Sequence, residues 1–467
     1  MNAADSRISR ALWSSDEAAD ATGGRLIGAD SWIATGVSID TRTLEPGDLF
    51  VALTDVRDGH EFAPQAFAKG AAAALVSKIE AGEGPRLLVN DVLEGLRGLA
   101  RRARERSDAK RIAVTGSVGK TSVKEALALC LSALGDTHAA AKSLNNHFGV
   151  PLTLSLMPPR TEFGVFEIGM NHVGEIRPLA DLVRPNAAVI TTIAPVHIEH
   201  MGSIEAIANE KADIFDALDD DGFAIVPADA PCADLLTERA KRTGRRIIRF
   251  GRAAGCEARL ISYEEDGEGA NAEADILGKR IKYRVGAPGA PWANNSLATL
   301  AAIAAIGADV EHAAATLAQL RPPPGRGEAK RIKSASGAFT LVDDAYNASP
   351  VSVAAALETL GKRVGARRIA ALGDMLELGP DESAYHAGLA QPIEAARVDL
   401  VFLAGPRMKA LWDALPPSRR GGYAETSDAL APLIESAVRE GDVILVKGSH
   451  GSKMERIVEA LSQLERA

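Results

Sequence analysis

The sequence predicts an α/β protein built on mainly parallel sheets and divided into three domains. Three observations carry that expectation. From Arg111 onward, short apolar runs of strand length alternate with helical stretches, the order that builds a parallel sheet. Arg321-Pro-Pro-Pro-Gly325 interrupts this order, and consecutive prolines are stiff and cannot continue a helix. A chain of 467 residues is also too long for one ordinary core and corresponds to about three domains. The apolar fraction of 46% is enough to fill their interiors.

The domains are expected at residues 1–90, 91–320 and 321–467. In the first, Val37–Arg42 and Asp48–Leu53 read as strands around a Glu-Pro-Gly turn. A helix over Ala63–Gly70 and strands at Ala74–Ser77 and Leu87–Val89 complete a small N-terminal α/β domain. In the second, strands are expected at Ile112–Thr115, Gly164–Ile168, Ala187–Ile193 and Phe223–Pro227. Residues 246–285 are glycine-spaced with short alternating runs and read as β-hairpins appended to that sheet. Asn294–Ile306 is an Ala/Leu-rich helix. In the third, strands at Phe339–Asp343, Arg368–Leu372, Leu400–Ala404 and Val443–Val446 are separated by helical stretches, giving a Rossmann-like doubly wound unit.

Bulk composition excludes several classes. Net charge is −9 with the two signs dispersed. The basic run Arg101-Arg102-Ala-Arg104-Glu-Arg106 is expected to be a solvated helix face, so no nucleic-acid partner is expected. No apolar run approaches the ~18 residues of a membrane span, and no membrane insertion is expected. Cys130, Cys232 and Cys256 are odd in number and far apart, which argues against a disulfide framework or zinc site and fits a reduced cytoplasm. Cys130 falls on an apolar helix face and reads as a small core residue.

The segment Arg111-Ile-Ala-Val-Thr-Gly-Ser-Val-Gly-Lys-Thr121 is a shortened P-loop, with Val114 where the opening glycine usually stands. The strand ends at Thr115. Gly116 and Gly119 let the backbone turn tightly and bring its N–H groups against phosphate oxygens. Lys120 supplies a cation for the terminal phosphates, and the Thr121 hydroxyl can hold Mg2+. The following helix adds unpaired N–H groups and a positive dipole end. Residues Thr115, Gly116, Ser117, Val118, Gly119, Lys120, Thr121 and Ser122 are therefore expected to line a nucleoside triphosphate, ATP with Mg2+.

Three further residues can serve metal or phosphate. Glu167 ends an apolar strand, where a carboxylate can hold Mg2+; a solvent-facing strand end is the other reading. His197 lies just past another strand and can bind a divalent metal or simply pack in a loop. Lys211 lies on a helix over Ser203–Leu218. It is a surface charge, a second phosphate cation, or, if carbamylated, an anion able to bind metal.

The P-loop, Ser143-Leu-Asn-Asn-His-Phe-Gly-Val-Pro151, Phe166-Glu-Ile-Gly-Met-Asn171, His197-Ile-Glu and Glu210-Lys211 together resemble the Mur ligase family. So do Gly325-Arg326, Val342-Asp-Asp-Ala-Tyr-Asn-Ala-Ser349, Leu372-Gly-Asp-Met-Leu-Glu-Leu-Gly379 and Val446-Lys-Gly-Ser449. These are ATP-dependent amide-forming enzymes of peptidoglycan precursor synthesis. The resemblance is strongest to the member that joins D-alanyl-D-alanine to UDP-N-acetylmuramoyl-tripeptide, and it covers nearly the whole chain. It implies that Glu167, His197 and Lys211 serve metal, with Lys211 carbamylated. It implies that Asn295 contacts adenine, Arg326 the terminal phosphate and Asp344 the ribose. Asp40-Thr41-Arg42 would seat the uridine nucleotide. Asn145 and Asn146 would lie along the muramoyl substrate, with Asn347, Lys447 and Ser449 toward the incoming amine. Lys120, His197, Lys211 and Arg326 form the expected catalytic set. Gly289-Ala-Pro-Trp292 stands where relatives often read Gly-Arg-His-Asn, Ser349 where they often have Asn, and Thr41 replaces Ser. A monomer is expected.

Rival readings are another amide ligase of the superfamily, of the third-residue-adding or folylpolyglutamate type, a nucleotide-switched binding protein, and a scaffold with a relic P-loop. The Asp-Asn-Pro-Arg string of the diaminopimelate-adding ligase and the Asn-Lys-x-Asp string of a guanine reader are both absent.

Overall fold

The computed structural model describes residues 11–196, 198–335 and 337–465. The chain packs as two compact units. One comprises residues up to Thr115 with Gly135–Ala188 and Asp213–Phe223; the other comprises Gly116–Leu134, Val189–Ala212 and the chain from Ala224 onward.

The first unit begins with a five-stranded sheet of β1 (Arg25–Ile27), β2 (Gly36–Ser38), β3 (Asp48–Val51), β4 (Ala73–Val76) and β5 (Arg86–Leu88), in the order β1-β5-β4-β3-β2. All pairs are parallel except β1 with β5. Strand β2 is shorter than the expected Val37–Arg42. Its end is turned by a side chain: the Asp40 carboxylate accepts the Arg42 N–H at 2.8 Å, and the Asp40 carbonyl accepts the Thr43 N–H at 3.1 Å. Helix α1 (Val92–Glu105) is capped by the Asp91 carboxylate, which accepts the Glu94 N–H at 2.9 Å.

The basic run at the end of α1 is not the solvated face that its charge suggests. Arg104 donates to the carbonyls of Asp181 and Leu182 at 3.2 and 3.0 Å. Arg106 donates to the Leu12 carbonyl and to Glu17, and its guanidinium lies 3.9 Å over the ring of the fully buried Trp13. Long cationic side chains here satisfy backbone carbonyls and cover an aromatic ring at once.

The same unit carries the parallel strands β6 (Lys110–Thr115), β7 (Thr137–Ala139) and β8 (Phe163–Glu167), with β8 between the other two. Helices α2 (Lys120–Ser132), α3 (Ile176–Val183), α4 (Ile204–Asp216) and α5 (Ala290–Ala305) accompany β9 (Ala187–Ile190), β10 (Phe223–Pro227), β11 (Arg246–Gly251), β12 (Ala258–Glu265), β13 (Ala270–Ile276) and β14 (Lys279–Val285). The complete sheet has nine strands in the order β14-β13-β12-β11-β10-β9-β6-β8-β7. Residues 246–285 depart from the expected run of hairpins. Strands β12, β13 and β14 are antiparallel, but β11 pairs β12 in parallel, Phe250 opposite Ala258. Helix α5 starts earlier than expected because Pro291 occupies its first turn, where a missing N–H costs nothing.

The second unit ends in a six-stranded sheet of β15 (Glu328–Ser334), β16 (Gly337–Asp344), β17 (Arg368–Gly373), β18 (Leu400–Ala404), β19 (Arg420–Ala424) and β20 (Val443–Lys447). Its order is β15-β16-β20-β17-β18-β19, parallel except for the edge strand β15. One face is covered by α6 (Pro350–Lys362) and the short helices before β18 and β19, the other by α7 (Ser427–Ala437) and α8 (Glu455–Gln463). Because β20 inserts between β16 and β17, the loops after these three strands converge at their carboxyl ends. That is where open α/β sheets take ligands.

Candidate active site

The P-loop conformation follows from its glycines. Gly116 has φ +149°, and a Cβ there would lie 1.9 Å from Thr191 Oγ1. Gly119, at φ +90°, precedes the first turn of α2, and a Cβ there would lie 2.8 Å from Asn295 Oδ1. Only glycine fits either position, and the second contact places Asn295 beside the loop. The loop is tied to the segment after β9. Ser117 N donates to Thr192 O at 2.9 Å, Ser117 Oγ to Ala194 O at 3.0 Å, and Thr191 Oγ1 to Val118 O at 2.5 Å. These ties explain why β9 stops at Ile190 rather than Ile193. Lys120 Nζ donates to the Gly116 carbonyl at 2.7 Å, and Thr121 is buried. Thr115 Oγ1, at the end of β6, is buried without a hydrogen-bond partner. An orphaned hydroxyl at the mouth of a phosphate loop fits an added ligand.

Lys211 on α4 is 2% exposed. Burial, and then the charge of Lys120, push its ammonium well below the ordinary lysine range, while Glu210 opposes them. That shift makes the neutral amine, the form that can be carbamylated, more available. The surface-charge reading of Lys211 does not hold. His197 lies outside the described residues.

Glu167 is buried at the end of β8, level with Val114 on β6. Asn145 Nδ2 donates to its Oε1 at 2.7 Å, and Asn145 is itself fixed by Gly169 N donating to its carbonyl at 2.8 Å. Asn146 Oδ1 accepts the N–H of Phe148 and Gly149, at 3.2 and 2.8 Å, at the start of the next helix. Among the described residues no three His, Cys, Asp or Glu side chains converge as a metal cage. Mg2+ takes few protein oxygens and completes its shell with phosphate and water. The Thr121 hydroxyl and the Glu167 carboxylate, each buried, are oxygen donors of the kind that ion takes.

Near β2, Asp40 and Arg42 form an ion pair at 2.7 Å with the guanidinium exposed. Thr41 is buried, donating Oγ1 to Gln65 Oε1 at 2.9 Å, while Lys69 Nζ donates to its carbonyl at 2.6 Å.

In the six-stranded sheet, Asp344 and Lys447 sit side by side in the parallel register and are paired at 2.8 Å. Burial raises the Asp344 carboxyl and the Lys447 ammonium opposes the rise. Lys447 Nζ also donates to Asn347 O at 2.9 Å. Ser449 Oγ accepts the Leu376 N–H at 3.0 Å and donates to Ala348 O at 3.3 Å, so one hydroxyl joins three loops. Arg326 lies with its guanidinium carbon 4.2 Å over the Tyr346 ring.

Residues 114–303 match the Mur ligase middle domain, and residues 325–450 match the Mur ligase glutamate ligase domain. The chain belongs to the Mur ligase family. The UDP-N-acetylmuramoyl-tripeptide–D-alanyl-D-alanine ligase of Escherichia coli is 36% identical over 448 residues, spanning 95% of this chain and 97% of that protein. A MurF structure from Acinetobacter baumannii superposes with a TM-score of 0.85 at 28% identity, over 97% of this chain and 99% of its own. The MurF ligase of Thermotoga maritima, solved in complex with ADP, shares the fold with a TM-score of 0.76 at 24% identity, over 92% of this chain and 98% of its own.

This Mur ligase uses the Gly373–Gly379 motif more fully than the sequence reading assigned. Asp374 is buried, accepts the Met408 N–H at 3.0 Å and lies 3.6 Å from Arg407. The fully buried His386 accepts the Met375 N–H at Nε2, at 3.0 Å, and its Nδ1 lies 2.6 Å from Glu382 O, which fixes the Nδ1–H tautomer. The Gly-Asp-Met string was visible in the sequence, but the partners of its carboxylate lie in the loop after β18. Nothing in local spacing marks His386. The Mur ligase departure at Gly289-Ala-Pro-Trp292 places Trp292 in the core.

Proposed function

We infer that this Mur ligase joins D-alanyl-D-alanine to UDP-N-acetylmuramoyl-tripeptide, with conversion of ATP to ADP and phosphate, in the synthesis of peptidoglycan precursor. The observation that carries the reading is the 36% identity, over 95% of the chain, to a relative whose name states both substrates. The glycine-built P-loop supports it independently.

A carboxylate is a poor acylating agent at neutral pH. The tripeptide's terminal carboxylate attacks the γ-phosphate of ATP, forming an acyl phosphate and releasing ADP. The dipeptide amine then attacks the acyl carbon, and the tetrahedral intermediate expels phosphate. Both partners of the first step are anions, so cations must lower their repulsion and meet the charge spreading over the phosphoryl oxygens. Lys120 and Arg326 take that task. Thr121, Glu167, His197 and a carbamate formed on Lys211 would hold Mg2+, which would supply further neutralisation of the phosphates. Asn295 faces the adenine and Asp344 the ribose. Asp40, Thr41 and Arg42 receive the uridine nucleotide, Asn145 and Asn146 the muramoyl chain, and Asn347, Lys447 and Ser449 the incoming dipeptide.

Domain boundaries near residues 90 and 320 accord with three separate major sheets and with the proline segment 322–324. We place the enzyme in the cytoplasm as a monomer; its three cysteines are free thiols.

The test is phosphate release with UDP-N-acetylmuramoyl-tripeptide while candidate amines are scanned. Turnover requires both the nucleotide-linked tripeptide and D-alanyl-D-alanine. Strong turnover with D-alanine alone, and none with the dipeptide, would overturn the assignment.

A further inference from the structure

The loop that carries Arg326 is built onto the loop that carries Tyr346. Tyr346 N donates to Gly325 O at 3.1 Å, and Gly327 N donates to Asp343 O at 2.7 Å. The Asp343 carboxylate bridges the two loops, accepting Gly325 N at one oxygen and Ala345 N at the other, both at 3.2 Å. Gly325 has φ +73°, and a Cβ there would lie 3.1 Å from the Tyr346 Cβ. The close approach needs glycine on strain and contact grounds alike.

These ties bring the Arg326 guanidinium 4.2 Å over the Tyr346 ring. Among the described residues no hydrogen bond or ion pair holds that side chain, although its charge reaches the Asp344 carboxyl. A guanidinium stacked on an aromatic face keeps its N–H donors in its own plane, free for an anion, while its position is fixed. An arginine held instead by a carboxylate would have those donors already spent.

We propose that Tyr346 is the positioning residue for Arg326, its ring a platform that holds the guanidinium with its donors open toward the terminal phosphate. This rests on the reading that Arg326 meets that phosphate. Tyr346 acts only through Arg326. Its removal therefore slows turnover without weakening nucleotide binding in proportion, and has no effect once Arg326 is gone.

The experiment is a double-mutant cycle on the full chain with both substrates, with thermal unfolding to verify folding. Tyr346→Phe keeps the ring and stays within about twofold of the native kcat. Tyr346→Leu, with Tyr346→Ala as a second variant, lowers kcat roughly five- to thirtyfold with little change in KM for ATP, the range of a partly desolvated cation–π contact. In an Arg326→Ala background the same changes at Tyr346 do nothing further. The proposal is overturned if Tyr346→Leu and Tyr346→Ala match the native rate, if Tyr346→Phe is as slow as Tyr346→Leu, or if the loss persists in full without Arg326. A raised KM for ATP that persists without Arg326 would assign the ring to the nucleotide base instead. If Arg326→Ala alone keeps the native rate, the phosphate role of Arg326 falls, and that single arm identifies which reading failed.

Discussion

The side-chain amide of Asn145 donates to the carboxylate of Glu167 at 2.7 Å. The bond occupies one oxygen and fixes the plane of a buried acid at the end of β8. Asn145 is thus an orienting group for the carboxylate assigned to Mg2+. Groups that orient a metal ligand are typically worth 10- to 100-fold in metal affinity. Asn145→Leu should raise the Mg2+ concentration needed for half-maximal turnover by roughly that factor, with a smaller change in the plateau rate. An unchanged Mg2+ dependence would leave Asn145 with no orienting role.

Gly116 faces Thr191 with no room for a methyl group. Gly116→Ala should cost about 1–3 kcal/mol of stability from strain at its positive φ, and should abolish binding of a non-hydrolysable ATP analogue. Adding Thr191→Ala removes the overlap but not the strain, so it recovers only part of the loss. Thermal unfolding and equilibrium binding measure the two effects separately.

Lys211 is buried, and its ammonium is disfavoured. Lys211→Ala should lose roughly a hundredfold or more in rate. Acetate should restore part of it by occupying the vacated anion position. Full activity of Lys211→Ala in bicarbonate-free buffer would remove the carbamate from the site.

Burial pushes the Cys130 thiol up to about 12 from its ordinary 9.0, and its Sγ donates to the Ala313 carbonyl at 3.3 Å. The folded protein holds the thiol protonated, whereas an unfolded chain ionises it from 9.0 upward. The contribution to stability is therefore intact below that value and is lost as pH rises toward about 12. At pH near 8.5, alkylation counted by mass spectrometry should reach the part-exposed Cys232 and Cys256 first and Cys130 only on unfolding. Prompt modification of Cys130 would contradict its burial.

What was legible in the sequence was local. Strand, glycine turn and helix around residues 112–132 announce themselves because each signal lies within a few residues of the next. The parallel core strands of the six-stranded sheet read directly as short apolar runs. Features set by contacts distant in the chain did not. Residues Asp40 to Arg42 looked like a continuing strand because the Asp40 side chain that turns them leaves no hydrophobic signature. Glycine spacing marked breaks in 246–285 but not strand direction, so the parallel pairing of β11 and β12 was missed. Strand β15 is mostly charged, and β19 carries two glycines, so neither resembles an apolar run. In the candidate site, Asp343 and Ser449 gain their roles by joining loops, and no spacing rule reveals which loops meet.

The position of β20 governs the order in which the enzyme can be made. Strands β16 and β17 never pair with each other; each is registered on β20, which follows both of them in the sequence. On the ribosome, β15 to β19 must wait with an open seam at the middle of their sheet until residue 447 has emerged. The Asp344–Lys447 pair closes only then, so a nascent chain lacks this half of the site until synthesis of the sheet is complete. Until that moment two apolar strand edges stay unpaired, which is the condition in which a chain pairs with others and aggregates.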